Sequence, residues 1–251
     1  MAVSSKHDDD LILQTLSGPD AANFLQGYVT CDVEMLALQA AMPMAFTSLK
    51  GRVIANGWIF GSPSEVRFIV HQSVVESLGA HLSKYLVFSK STIVEGVRSS
   101  VHFSASGSSG VTLKPFDWIV EALRQQPKSN GQPSLAEAAV TREFAIVTKS
   151  TTDRFLPQML GLTVFETVSY SKGCYLGQEI VARAEHRGVV KRRLRRYSWV
   201  GRKPYPGQEF DRSGANNTVI MANDTQALVV GTSDDAILNN THCELTLVQS
   251  N

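Results

Sequence analysis

Cysteine is scarce in this chain: three residues of 251, at positions 31, 174 and 243, odd in number and far apart. That argues against a disulfide framework of the kind that staples small secreted domains. With no CxxC or CxxxH spacing, three thiols are also too few for a four-thiolate iron–sulfur cluster or a structural zinc held within one chain. The histidines show no HxxxH or HExxH spacing, so no zinc site is expected. Asp8-Asp-Asp10 is three consecutive acids at a terminus, which does not make a coordination cage. Also missing are a G-x-x-x-x-G-K-[ST] or G-x-G-x-x-G phosphate loop and a Gly-x-Ser-x-Gly elbow. No apolar run approaches the roughly 18–20 residues that span a bilayer. Met1 to Asp10 has one Lys and no apolar stretch, unlike a secretory leader. Net charge is +1, so any basic site must be local. Together these absences point to a reducing, cytoplasmic setting without membrane contact.

What remains is a globular composition, 43% hydrophobic and 19% charged, long enough for one large domain or two smaller ones. Leu11 to Leu16 reads as a strand. Ser17-Gly-Pro-Asp20 then turns into a helix over Ala21–Gln26, capped by Asp20 or Ser17 and stopped by Gly27. Ala45–Lys50 and Val53–Phe60 read as two strands joined by a turn at Gly51, with Glu65–Val70 a third. Ser73–Leu86 has helical apolar spacing, and Ser91–Val97 reads as a short strand. Ser104–Gly110 and Gln126–Pro133 read as loops around a helix over Phe116–Gln125. From Lys191 onward the texture changes to short strands with turns at Pro204-Tyr-Pro-Gly207 and Ser213-Gly214, which suits a small all-β unit.

The most informative segment is Lys172-Gly-Cys-Tyr-Leu-Gly-Gln-Glu-Ile-Val-Ala-Arg183. Gly173 and Gly177 admit backbone conformations closed to other residues and close approach by other groups. A thiol between them becomes reactive if cations or a helix N-terminus lower its pKa. Lys172 lies two positions before Cys174, and the run after Leu176 can open a helix. Read alone, Cys174 is equally a small buried hydrophobe. Downstream, seven cations (Arg183, Arg187, Lys191, Arg192, Arg193, Arg195 and Arg196) fall within fourteen residues. Tyr197 and Trp199 follow and offer rings for base stacking. A strand would divide these cations between two faces, so RNA contact and a solvated strand face both stand. Lys50-Gly-Arg52 is either an anion-contacting turn or a hairpin tip with two exposed cations.

The Lys172–Arg183 motif, with Arg187-Gly188 and Lys191-Arg192, resembles the signature of the YgfZ-type folate-binding proteins. These are relatives of the T-protein (aminomethyltransferase) of the glycine cleavage system. Weaker agreements follow in order: Leu16-Ser-Gly-Pro-Asp20, Phe24-Leu-Gln-Gly27, Thr30, Asp32-Val33, Lys50-Gly-Arg52, Lys84-Tyr85, Phe88-Ser-Lys90 and Phe155-Leu-Pro-Gln158. The resemblance implies an α+β fold: a T-protein-like folate-binding domain of two mixed modules over residues 1–190, then a C-terminal β-barrel over 191–251. It implies a tetrahydrofolate-dependent role in iron–sulfur cluster assembly or repair that supports Fe–S-dependent tRNA modification. The partners would be Fe–S assembly factors or Fe–S client enzymes, with possible tRNA contact through Arg187, Lys191 and Arg192.

In that picture Cys174 is the essential thiol and Lys172 acts with it. Gln178, Glu179 and Arg183 order the loop and stand with Leu11 and Phe144 as candidate cofactor contacts. Departures are visible too. T-proteins place the Asp that stabilises the reacting folate after the strand ending near Val70, whereas His71 to Lys90 has no Asp and a single acid, Glu76. The pterin-facing Glu has no counterpart between Phe144 and Asp153, and Leu11 stands where some relatives have an aromatic. Two alternative readings stand beside that picture: aminomethyl transfer, which lacks its key carboxylate, and a non-enzymatic RNA-binding module using Arg187 to Arg196.

Overall fold

A computed structural model describes residues 11–36, 40–100, 103–104, 110–113, 118–121, 134–188, 190–212, 215–232 and 236–248. Most of the loop expected at 104–110, all of that at 126–133, and the three acids Asp8-Asp-Asp10 lie outside them.

The first strand, β1 (Leu11–Ser17), runs into α1 (Ala21–Gln26), as the Ser-Gly-Pro-Asp turn requires. Asp20 does not cap α1 with its side chain. Its carboxylate instead accepts from the Ser89 and Ser91 hydroxyls and the Lys90 amide, tying α1 to a chain segment about 70 residues later. These bonds, led by Ser91, hold the carboxyl below the usual range. Next come β2 (Ala40–Thr47), β3 (Val53–Ser62), β4 (Glu65–His71), α2 (Val75–Leu86) and β5 (Thr92–Ser100). Val74, just ahead of α2, and Leu78 and Leu82 within it are spaced by four, which puts one apolar stripe against the sheet.

Short strands β6 (Phe103–Ser104), β7 (Gly110–Leu113) and β8 (Trp118–Glu121) complete an eight-stranded sheet in the order β5-β1-β4-β3-β2-β7-β8-β6. Among the described residues, β2 pairs with β7 in parallel and the other pairings are antiparallel. The helix expected over Phe116–Gln125 is therefore corrected: Trp118–Glu121 is a strand, paired with β7 and β6. The aromatic and β-branched run Trp118-Ile-Val suits a pleated surface better than a helix. A short helix absent from the sequence reading, α3 (Leu135–Thr141), follows. Ser134 caps it by accepting from the Glu137 amide at 3.1 Å.

After α4 (Gln178–His186), strands β9 (Arg193–Gly201), β10 (Glu209–Arg212), β11 (Ala215–Ala222), β12 (Gln226–Gly231), β13 (Ile237–Asn239) and β14 (Cys243–Leu247) form a second, antiparallel sheet. Its order is β10-β11-β12-β9-β14-β13, and the edge strands β10 and β13 meet, so the sheet nearly closes into a barrel. Side chains alternate across β11 and β12. Val219, Ala227 and Val229 fill the barrel interior with Tyr197, Phe210 and Leu245. Ile220, Leu228 and Val230 face out and join the core of the larger sheet, where α3 packs on them.

Candidate functional site

The motif opens on a loop stitched to the segment after α1. The Ser169 amide bonds Thr30 O and the Leu176 amide bonds Gly27 O, both at 2.9 Å, while the Thr30 hydroxyl bonds Thr167 O at 2.6 Å. Lys172 turns inward and donates to Val29 O at 2.8 Å and Cys31 O at 2.7 Å. Its ammonium also lies 5.3 Å from the centre of the Tyr175 ring. Burial pushes the Lys172 pKa down to about 8, partly opposed by Cys31, Asp32 and Glu34. The expectation that Lys172 serves as a cation for Cys174 is corrected accordingly: its charge is committed to two carbonyls on the inner side of the loop. Cys31 is buried with it, and burial pushes that thiol up to about 12.

Cys174, by contrast, is free and exposed; Cys31 and Cys243 are free and buried. The two glycines that bracket it differ. Gly177 has φ +82°, and a Cβ there would lie 2.3 Å from Ser48 O and 2.9 Å from Gly51 Cα. Gly51, at φ +68°, would in turn drive a Cβ to 3.0 Å from Ile180 Cβ. The tip of the β2–β3 hairpin and the start of α4 thus meet glycine to glycine, which only residues without Cβ allow. Gly173 has an ordinary φ, and a Cβ there would meet nothing within 4 Å, so the sequence-based reason for a glycine at 173 does not hold.

α4 is fixed on three sides. The Thr47 hydroxyl donates to Leu176 O at 2.5 Å, Gln158 donates to Val181 O at 2.8 Å, and the Tyr170 hydroxyl donates to Glu185 at 2.9 Å. Burial, then Glu185, raises the Tyr170 pKa. The Gln178 amide bonds Tyr175 O, and those of Ile180 and Val181 bond Gly177 O. The expected helix is present, but these three amides are spent locally. Glu179 and Arg183 pair with each other on its exposed face, and Gln178 is half-buried. Tyr175 is buried, with no hydrogen-bond partner for its hydroxyl among the described residues.

Leu11 and Phe144, expected to touch a pterin, are 1% and 0% exposed. Phe144 stacks on Trp58 at 5.4 Å and meets Phe165 edge-on at 5.1 Å. Its segment is held in by Asn56, which donates to Ala145 O and accepts from the Val147 amide, each at 2.8 Å. Neither side chain offers a surface for a ring, and Glu179 and Arg183 lie outside on α4. The five residues do not converge on one site, so they do not fit tetrahydrofolate as a set.

The basic segment divides as strand geometry requires. Arg187 and Lys191 are exposed. Arg196 pairs with Glu143 beside α3. Tyr197 is buried in the barrel, and the Trp199 indole donates to Asn223 O at 3.2 Å; Tyr197 therefore presents no ring for stacking, which corrects that expectation. Arg192 turns toward the hairpin tip. With Lys50, Arg52 and Arg154 it lines a cavity of about 490 Å³ whose apolar walls are Leu49, Leu156, Met159 and Ile180. The sequence reading missed Arg154 here, as well as Thr47 and Tyr170; a lone Arg, Thr or Tyr carries no signal in a single sequence. Among the described residues no three His, Cys, Asp or Glu stand close enough to hold a metal, and no helix is long and apolar enough to cross a membrane.

Comparison with known proteins gives the same relatives as the motif. The chain is 27% identical to the tRNA-modifying protein YgfZ of Yersinia pestis (strain Pestoides F), over 92% of this chain and 83% of that protein. The chain resembles the YgfZ proteins along most of its length. YgfZ of Serratia proteamaculans (strain 568) is 28% identical over 74% of this chain and 68% of its own. The fold matches the glycine cleavage system aminomethyltransferase T of Bartonella henselae, with TM-score 0.67, 11% identity, and coverage of 96% of this chain and 84% of that one. The T-protein relationship is thus one of shape, whereas the YgfZ relationship is one of sequence. No family model matches.

Proposed function

We propose that this chain, like the YgfZ proteins it resembles, supports tRNA modification, and that it does so in the cytoplasm as an accessory to iron–sulfur enzymes acting through Cys174. The observation that supports this reading is the placement of the thiol. Of three cysteines, Cys174 alone is exposed, and it sits on a loop whose backbone is tied to Gly27, Thr30 and Thr47. A single exposed cysteine supplies one ligand. That suits passing a cluster to a client and falls short of the four that hold one permanently. In this reading the cluster is cargo.

Lys172 positions the loop by closing its inner side. Gly177 lets α4 start directly against the hairpin tip. Glu179 and Arg183 stabilise the exposed face of α4. A one-carbon role for tetrahydrofolate has no support from the residues placed here, since Leu11 and Phe144 are sealed in the core, and no step is assigned to it. The test is Cys174→Ser in cells that depend on this protein for methylthiolated tRNA. Loss of the modification with normal protein levels is expected; unchanged modification overturns the role of the thiol.

A further inference from the structure

The cavity between the hairpin tip, the segment after Asp153, α4 and the start of β9 has no part in the role assigned to Cys174. Its chemistry is specific. Lys50, Arg52, Arg154 and Arg192 reach it from three separate parts of the chain. The carboxylates bonded nearby are Glu209, paired with Arg154, and Asp153, which accepts from Ser48. Among the described residues, four cations against two carboxylates leave two positive charges uncompensated.

Two of the cations are pre-arranged. The Arg154 and Arg192 guanidinium carbons lie 5.5 and 5.6 Å from the centre of the same Phe155 ring, a cation–π arrangement. Arg192 also donates to Asn216 O at 2.6 Å, and Arg154 donates to Thr218 at 3.3 Å. Burial, then the neighbouring Arg154 and Arg52, lowers the Arg192 pKa against the pull of Glu209. Like charges are thus held close, an arrangement that favours an anion. The other two cations stand on an exposed turn: Lys50 and Arg52 are both exposed, and Arg52 makes a 3.5 Å contact to Asp153 O.

We infer that this cavity is a binding site for a phosphorylated nucleotide presented by a single-stranded stretch of RNA. The arginine forks match phosphate oxygens. Leu49, Leu156, Met159 and Ile180 give a base or ribose an apolar wall. Exposed Lys191 immediately precedes Arg192, and Arg187 lies at the end of α4, so the chain has further cations where a strand would continue. The choice of RNA over another phosphate compound rests on the reading that this protein serves tRNA modification; the cavity and its charges do not.

The experiment is fluorescence anisotropy of the full chain with a labelled single-stranded RNA dodecamer, with AMP and inorganic phosphate as competitors. The dodecamer should bind with strong salt dependence, and AMP and phosphate should compete weakly. The double variant Lys50→Gln/Arg52→Gln changes two turn side chains and should keep the wild-type melting temperature. It should lose about tenfold in affinity, and its log–log salt slope should flatten by about 1.4, at roughly 0.7 per phosphate contact on a single strand. Lys203→Gln, at the exposed pair with Asp224 outside the cavity lining, should bind as wild type. Wild-type affinity in the double variant would overturn the inference, as would binding of AMP or phosphate without binding of the dodecamer. Cys174→Ser should bind RNA normally, so a failure here and a failure of the thiol's role are separate results.

Discussion

The two sides of the Lys172–Arg183 motif behave as different materials. Lys172, Tyr175, Gly177 and Val181 face the protein and are fixed by close contact: buried carbonyls, a buried ring and a glycine-to-glycine approach. Gly173, Cys174, Glu179 and Arg183 face solvent and touch little. Alternation within one short segment teaches that the inner residues hold the backbone while the outer ones are free for chemistry. It also warns against reading a motif as a single catalytic cluster, since Lys172 and Cys174 point into different environments.

The widest gap between the two sides should appear in thiol reactivity. In the native protein a disulfide reagent should modify Cys174 alone, with Cys31 reacting at least a thousandfold more slowly, because its exposure requires substantial unfolding. Comparable rates for both would erase the distinction. Next in size is Gly177→Ala, which forces an alanine into positive φ and a Cβ to 2.3 Å from Ser48 O. A loss on the order of 3 kcal/mol or more is expected in denaturant unfolding.

Lys172→Met leaves two carbonyls without their donor and should cost about 2 kcal/mol. Its pH dependence carries a sign. The folded-state pKa of about 8 lies below the ordinary 10.5, so between those values the unfolded chain binds the extra proton. Stability from this group therefore rises with pH across that window, and the wild-type advantage over Lys172→Met should grow from pH 8 to pH 9. A flat difference would place Lys172 in water. The smallest effects belong to the outer side. Glu179→Ala should cost about 0.3–0.5 kcal/mol, as for an exposed i,i+4 pair. Gly173→Ala should stay within about 0.5 kcal/mol of wild type.

Much of the fold was legible where local pattern and tertiary environment agree. The Leu11–Leu16 strand, the 21–26 helix and the hairpin at Gly51 all stand as read. Trp118-Ile-Val was misread because a short apolar run fits a helix and a strand alike, and its partners in β6 and β7 are set by pairing. The α3 start carried a usable local signal, Ser134 three residues before Glu137. At the site, the prominence of Cys174 and the charge of the Lys50–Arg52 turn were visible. That Gly51 meets Gly177, that Arg154 and Arg192 share one ring, and that Phe144 is sealed by Asn56 are contacts between distant parts of the chain. No local spacing encodes them.

The double-sided packing of β11 and β12 has a consequence for how this molecule comes apart. One row of their side chains fills the barrel and the next row completes the larger sheet's core. Cutting the chain ahead of β9 would strip a lid of aliphatic groups from what was left behind. The halves are therefore expected to melt in a single cooperative event, and the arginines of the cavity wall inherit their rigidity from both.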